Sequence, residues 1–168
     1  MLIPYAKQSI DNKDIGNVVK ALKSNFITQG KTTEKFEKKI SNFVKSKYAC
    51  VVNSATSGLY LACKILNLTK KDWVWTSSNT FVSTASIIEH ANAKVDLLDI
   101  NEDGNLSIDY LKKKLQKTKK NNLPKAIIAV HIAGLPCEME ELHKLKKKYK
   151  FKIIEDASHA LGASIKSK

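Results

Sequence analysis

The chain has 168 residues, of which 43% are hydrophobic and 27% are charged, which predicts one domain with a sizeable core rather than a disordered chain. No apolar stretch approaches the roughly 18 residues that a membrane-spanning helix needs, and the first residues lack the pattern of a secretory signal, so we expect a soluble, cytoplasmic protein without a membrane partner. The net charge is +13, but all 29 basic residues are lysine, whereas nucleic-acid readers favour arginine. The charge therefore indicates a solvated lysine surface, and we expect no nucleic-acid partner.

Helical and strand patterns alternate along the chain. Helices are predicted over Ile15–Leu22 with Asp11 as its cap, Phe36–Val44, Leu59–Leu66, Val82–His90, Ile108–Leu115 with Ser107 as its cap, and Glu138–Tyr149. Strands are predicted over Tyr48–Val52, Trp73–Thr76, Val95–Ile100, Ala126–Val130 and Phe151–Ile154. Because these strands are apolar and separated by helices, the pattern predicts an α/β fold with a mostly parallel sheet covered on both faces.

The cysteines and histidines give no sign of a disulfide framework or a metal site. Cys50, Cys63 and Cys137 are widely spaced, and the first two lie in apolar runs, which predicts buried thiols in a reducing compartment. The four histidines never form a closely spaced pair, so no metal ligands are predicted.

Ligands of open parallel sheets bind beyond the carboxyl ends of the strands, and three polar segments fall at such ends. The first runs from Asn53 to Gly58, between a predicted strand and a helix. Free backbone N–H groups and the helix dipole favour an anion there, although Ser54 and Thr56 are also typical helix caps.

The second segment runs from Ser77 to Phe81, where Phe81 is either a core aromatic residue or a ring that stacks on a flat ligand. The third holds Glu155, Asp156 and His159 after the last predicted strand. Acids at the end of a buried strand need a cation or strong donors, so Asp156 either bonds a protonated ring nitrogen or belongs to a satisfied structural pair. A phosphate site, a stacking ring and a carboxylate together fit pyridoxal 5′-phosphate.

Five segments in this order resemble motifs of the DegT/DnrJ/StrS sugar aminotransferases, and the likeness runs from Ile3 to about Lys166. They are NFITQG at 25–30, NSATSG at 53–58, SNTFVSTA at 78–85, VHIAGLPC at 130–137 and EDASHALGA at 155–163. Within the family the chain is most similar to the branch that makes an amino sugar for pseudaminic acid.

The resemblance implies the large domain of a fold-type-I enzyme that uses pyridoxal 5′-phosphate and works as a homodimer. It implies L-glutamate as the amino donor and a 4-keto-6-deoxy nucleotide sugar, UDP-linked, as the acceptor, in the synthesis of bacterial surface or flagellin glycans. It assigns Thr28 and Gly30 to the border of the substrate pocket. His131 also matches, with no role beyond positioning the backbone.

The resemblance also implies the cofactor-binding residues. Ala55 and Thr56 would hold the cofactor phosphate, and Phe81 would stack on the pyridine ring. Asp156 would pair with the ring nitrogen, and His159 would lie near the 3-oxygen of the cofactor.

One departure from the family pattern concerns the Schiff-base lysine, which lies some tens of residues after the acidic motif in the family. Lys166 and Lys168 do not match its surroundings, so no catalytic residue is assigned within the chain. We expect residues 1–168 to be the N-terminal part of the large domain, without the small C-terminal domain, and to be inactive alone. A 3-dehydratase of the same family, which uses the aminated cofactor, and a non-catalytic fragment are the alternatives.

Overall fold

The computed structural model describes residues 7–28 and 30–165. They fall into two compact units, one ending at Val51 and the other beginning at Val52. The first unit holds helices α1 (Asn12–Leu22) and α2 (Lys31–Phe43), and no residue of either helix is buried.

The start of α1 confirms the predicted cap. The Asp11 carboxylate accepts the N–H groups of Lys13 and Asp14, at 2.8 and 2.9 Å, and the Asp14 carboxylate accepts the N–H of Asp11 at 3.1 Å. This reciprocal pair satisfies N–H groups that have no partner within the helix, which fixes where α1 begins.

The second unit is an α/β sandwich. Its helices and strands, in chain order, are α3 (Ala55–Ile65), β1 (Trp73–Ser77), α4 (Val82–His90), β2 (Lys94–Leu98), α5 (Ile108–Lys117), β3 (Pro124–Val130), α6 (Met139–Tyr149) and β4 (Lys152–Asp156). The four strands form one sheet in the order β2-β1-β3-β4, and every strand pair in it is parallel. The predicted α/β class and parallel sheet are therefore confirmed.

Alternate residues of the central strands build two separate cores. Val74, Ala126 and Ile128 pack with α3 and α4 on one face of the sheet. Trp75 and Ile127 pack with α5 and α6 on the other face. Strands buried on both faces must be apolar at successive positions, which is the pattern that the sequence shows.

The predicted strand over Tyr48–Val52 is wrong, and so is the predicted burial of Cys50. No residue of Tyr48–Val52 is in a strand, and Tyr48 is 77% exposed. A strand requires a hydrogen-bonded neighbour, and the described sheet pairs only β1 to β4 with one another. Cys50 lies in this run and is exposed, whereas Cys63 and Cys137 are buried as predicted.

Two further findings concern the described residues as a whole. None of their helices is long and apolar enough to cross a membrane. They also contain no group of three or more His, Cys, Asp or Glu side chains that could hold a metal ion.

Burial of the sheet gives the first test. Ile128 is fully buried, so Ile128→Ala is expected to lower the free energy of unfolding by about 2–5 kcal/mol, because it removes apolar contacts and leaves a cavity. Ile65 is 77% exposed, so the same change there should cost well under 1 kcal/mol. Urea unfolding of both variants measures this, and equal losses would contradict the assignment of Ile128 to the core.

Candidate active site

The order of the strands places a crevice at the carboxyl edge of the sheet. The chain runs from β1 to β2 on one side and then returns to place β3 on the other side of β1. Loops therefore leave the ends of β1 and β3 in opposite directions, which is where open α/β sheets bind ligands. All three polar segments predicted from the sequence lie in this second unit.

Asp156, the last residue of β4, is a buried carboxylate whose hydrogen-bond partners among the described residues are all neutral. It is 8% exposed. Its Oδ2 accepts the Thr84 hydroxyl at 3.1 Å, and its Oδ1 accepts the Ser158 hydroxyl at 2.6 Å and the Ser158 N–H at 3.2 Å. Three neutral donors satisfy its oxygens and no described cation pairs with it, so a cationic ligand group can pair with this carboxylate.

His131 and Glu155 form a second polar pair, one residue back from Asp156 on β4 and beyond the end of β3. His131 is 5% exposed, its Nδ1 accepts the N–H of Cys137 at 3.2 Å, and its Nε2 lies 3.2 Å from Glu155 Oε2. Because Nδ1 accepts a hydrogen bond, the proton of the neutral ring lies on Nε2, which donates to the Glu155 carboxylate. In the charged ring Nε2 donates to the carboxylate in the same way.

The two residues of this pair shift each other's titration. The side chains of Cys137 and Glu155 raise the pKa of His131 to about 9, while the Cys137 N–H opposes protonation of Nδ1. The hydrogen bond from His131 lowers the pKa of Glu155. The pair locks the end of β3 to β4, which agrees with the positioning role expected for His131.

Buried Asn105 joins the turn after β2 to the loop after β3. It is 3% exposed. Its Nδ2 donates to the Leu135 carbonyl at 3.0 Å, and its Oδ1 accepts the Ile132 N–H at 3.1 Å.

Gly134, in the loop after β3, has φ +85°, and a Cβ there would lie 3.0 Å from the carbonyl oxygen of His159. The loops after β3 and β4 are therefore held against each other by a contact that only glycine allows.

The predicted stacking ring is free on the surface. Phe81 precedes α4 and is 72% exposed, so the alternative that it is a core aromatic residue is wrong. Thr84, one turn further on, binds Asp156, so the loop carrying Phe81 lies beside the end of β4. A large exposed ring next to a buried carboxylate is typical of a ligand-binding position.

The predicted phosphate segment begins α3. Ser54 caps the helix by accepting the Ser57 N–H at 3.2 Å, as its sequence position predicts. Ala55 and Thr56 are the first two helical residues, and both are exposed. Their N–H groups precede the first intrahelical bond, so they are available to an anion.

The side chains of the remaining predicted residues make none of the hydrogen bonds described above. His159 is exposed in the turn after β4. Thr28 is exposed and Gly30 caps α2 in the first unit, while Gln29 between them lies outside the described residues. Their place at the substrate pocket stays a prediction.

Sequence reasoning missed the residues that hold Asp156. Thr84 and Ser158 lie within motifs that the sequence singled out, but their hydroxyls carry no pattern of their own. The signal that could have found them is the acid at the end of a buried strand, since such an acid requires nearby donors.

A parallel α/β sheet with an acidic, hydroxyl-lined carboxyl edge defines the class of this protein, and comparison with known proteins identifies its family. Residues 8–168 match the DegT/DnrJ/EryC1/StrS aminotransferase family, and the chain belongs to it. It is 43% identical over 99% of its length to the UDP-4-amino-4,6-dideoxy-N-acetyl-beta-L-altrosamine transaminase of Campylobacter jejuni, covering 43% of that protein.

Solved structures agree with this assignment. The chain matches Helicobacter pylori PseC, an aminotransferase involved in pseudaminic acid biosynthesis, with a TM-score of 0.89 and 31% identity over 98% of this chain and 44% of that one. It matches the PLP-form of a sugar aminotransferase from Streptococcus pneumoniae, Spr1654, with a TM-score of 0.84 and 29% identity over 95% of this chain and 44% of that one. The chain thus spans less than half the length of the relatives it matches.

The Thr84–Asp156 bond makes a stability prediction. Thr84→Val keeps the shape of the side chain but removes a donor to a buried carboxylate, so the free energy of unfolding should fall by about 1.5–3 kcal/mol. Thr80 offers the matched control, because its hydroxyl is buried without a partner and Thr80→Val should be neutral or stabilising. Urea unfolding of both variants decides, and an equal loss would show that the bond contributes nothing.

The His131–Glu155 pair makes a pH prediction. The folded pKa of Glu155 lies below its ordinary value of 4.5, so the pair's contribution is present above that pH and lost as the pH falls through the folded pKa. Because the Glu155 side chain is 48% exposed, Glu155→Gln should cost only about 0.5–1 kcal/mol near pH 6, and less below pH 4. Unfolding curves across this range measure it, and a cost that grows in acid would refute the pairing.

Proposed function

We propose that the chain is the N-terminal part of the large domain of a pyridoxal phosphate-dependent nucleotide-sugar aminotransferase. The amino group would pass from L-glutamate to a UDP-linked 4-keto-6-deoxy sugar, for surface-glycan or flagellin-glycan synthesis. The observation that carries this proposal is Asp156, a buried carboxylate with three neutral donors and, among the described residues, no cation. The names of the Campylobacter and Helicobacter relatives support transamination over dehydration.

The residues at the carboxyl edge fit the cofactor. Asp156 would accept a hydrogen bond from the pyridine nitrogen and keep it protonated, because a buried negative charge favours the charged form of its partner. Pyridoxal phosphate, when bound, supplies a ring that takes up electron density from the substrate carbon. The Thr84 and Ser158 donors would hold the Asp156 carboxylate in place toward the ring.

The other predicted ligands would hold the remaining parts of the cofactor. Phe81 would cover one face of the ring, which is consistent with the exposure of its own ring. Ala55 and Thr56 would bind the phosphate through the free N–H groups at the start of α3 and the Thr56 hydroxyl. His159 would lie near the 3-oxygen, and Thr28 and Gly30 would border the substrate.

The wider setting follows from the same proposal. The active enzyme would be a cytoplasmic homodimer, and its Schiff-base lysine would lie outside residues 1–168. The residues of this chain would bind and orient the cofactor, and Asp156 would keep its ring nitrogen protonated.

Cofactor affinity gives a direct test with the 168-residue chain. Bound pyridoxal phosphate is expected to be non-covalent, so borohydride should leave no specific label on any lysine.

Thr56→Ala should weaken binding several-fold because it removes one donor to the phosphate, and Asp156→Asn should weaken it at least tenfold because a charge-assisted bond is lost. The exposed Asp109 provides the control, since Asp109→Asn should bind as the parent does. Absorbance titration measures all three, and a stoichiometric phosphopyridoxyl-lysine peptide would disprove non-covalent binding.

Turnover gives the second test. The 168 residues alone should form no 2-oxoglutarate from L-glutamate and a 4-keto-6-deoxy nucleotide sugar, and fusion to a family segment bearing the lysine should restore activity. In the fusion, Asp156→Asn should lower turnover at saturating cofactor at least tenfold, because a neutral amide no longer favours the protonated ring nitrogen. Parental turnover in that variant would show that Asp156 is structural.

A further inference from the structure

The three hydrogen bonds to Asp156 are divided unequally between its two carboxylate oxygens. Oδ1 accepts two of them, from the Ser158 hydroxyl at 2.6 Å and the Ser158 N–H at 3.2 Å. Oδ2 accepts one, from the Thr84 hydroxyl at 3.1 Å. Each oxygen of a carboxylate offers about two lone pairs to donors. Among the described residues, Oδ1 is therefore fully used, and Oδ2 has one lone pair left for a ligand.

The donors to the two oxygens come from different parts of the fold. Ser158 lies two residues after Asp156, so its bonds to Oδ1 close a local turn of the kind that aspartate side chains form with the backbone that follows them. Thr84 lies on α4, 72 positions before Asp156, and its side chain is fully buried. Oδ1 therefore belongs to the turn after β4, while Oδ2 is held by α4.

Thr84 also connects Oδ2 to the exposed ring of Phe81. The Thr84 N–H donates to the Phe81 carbonyl at 2.9 Å, so both residues belong to one hydrogen-bonded turn at the start of α4. Phe81 is 72% exposed, whereas Thr84 is 0% exposed and is closed to a ligand. The carboxylate oxygen with the free lone pair is thus bonded to the turn that carries the proposed stacking ring.

We infer that Oδ2 of Asp156, rather than Oδ1, accepts the pyridine N–H of the cofactor, and that Thr84 is the positioning residue for this contact. The inference rests on the proposed function. The Thr84 hydroxyl uses one lone pair of Oδ2 and so fixes the direction of the other. Because both neighbours of Oδ2 must then be donors, the arrangement selects a ring whose nitrogen carries a proton.

Bond length alone gives the larger role to Ser158, since its hydroxyl makes the shorter bond to Asp156. The division of lone pairs predicts the opposite. Ser158→Ala removes that bond but keeps the backbone N–H that also binds Oδ1, so it should weaken the site as a whole. Thr84→Val removes the only donor to Oδ2 among the described residues, so it should act on the contact with the ring nitrogen in particular.

Two ligands separate these effects in the 168-residue chain. One is pyridoxal phosphate, and the other is 1-deazapyridoxal phosphate, in which a C–H group replaces the ring nitrogen. Calorimetric titration gives the ratio of their Kd values, in which any loss common to both ligands cancels. The parental chain should prefer pyridoxal phosphate by at least about tenfold, as expected for one charge-assisted bond.

The variants should change this ratio in different ways. Thr84→Val should lower it at least about threefold, because only the ligand with a ring N–H loses a contact, and Thr84→Ser should restore it by returning the hydroxyl. Thr84→Ala replaces Thr84→Val if that variant does not fold. Ser158→Ala should raise both Kd values by the same factor. Ser86→Ala is the matched control, because this hydroxyl of the same helix donates to the Ser83 carbonyl at 3.3 Å, and neither Kd should change.

The outcomes distinguish this inference from the proposed function. An unchanged ratio in Thr84→Val, or an equal or larger fall in Ser158→Ala, would overturn the inference. Asp156→Asn tests the proposed function with the same two ligands. If Asp156→Asn lowers the ratio while Thr84→Val does not, the inference fails and the proposed function stands. If Asp156→Asn keeps the parental ratio, or if neither ligand binds, both fail.

Discussion

The hydrogen bond between Thr84 and Asp156 joins residues 72 positions apart, and the carboxyl edge depends on it. A carboxylate at the end of a buried strand is costly unless donors surround it, and these donors come from the first crossover helix and from the turn that follows β4. Satisfying the charge therefore also fixes where α4 begins relative to β4. The same bond therefore contributes both to the docking of α4 on the sheet and to the geometry of the site.

The alternation of side chains along β4 gives its two acids different surroundings. Asp156 lies on the face covered by α3 and α4, where hydroxyl donors meet it, while Glu155 lies on the other face and meets His131. Adjacent acids in a strand point to opposite faces, so they do not share a site or repel each other closely. Within the described part of the chain no cation pairs with Asp156, while Glu155 joins β4 to the residue that follows β3.

The sequence predicted what repeating patterns encode. Apolar periodicity located all of the described α-helices and four strands, and cap residues such as Asp11 and Ser107 marked where helices begin. The apolar pattern was misleading at Tyr48–Val52, because an apolar run becomes a strand only beside a pairing partner. The run itself does not indicate whether such a partner is present. Thr84 and Ser158 escaped notice for a related reason, since a hydroxyl acquires its role only from the neighbour that the fold supplies.

The strand order β2-β1-β3-β4 bears on how the chain can fold as it is synthesised. Of the described strands β1 is synthesised first, β2 pairs with one side of it, β3 pairs with the other side, and β4 then pairs with β3. Among these four strands, each one finds its partner already made. Parallel pairing usually demands slow, long-range closure, but here every closure spans a single crossover or returns to the strand at which the sheet began. The four described strands can therefore pair in the order in which their residues are translated.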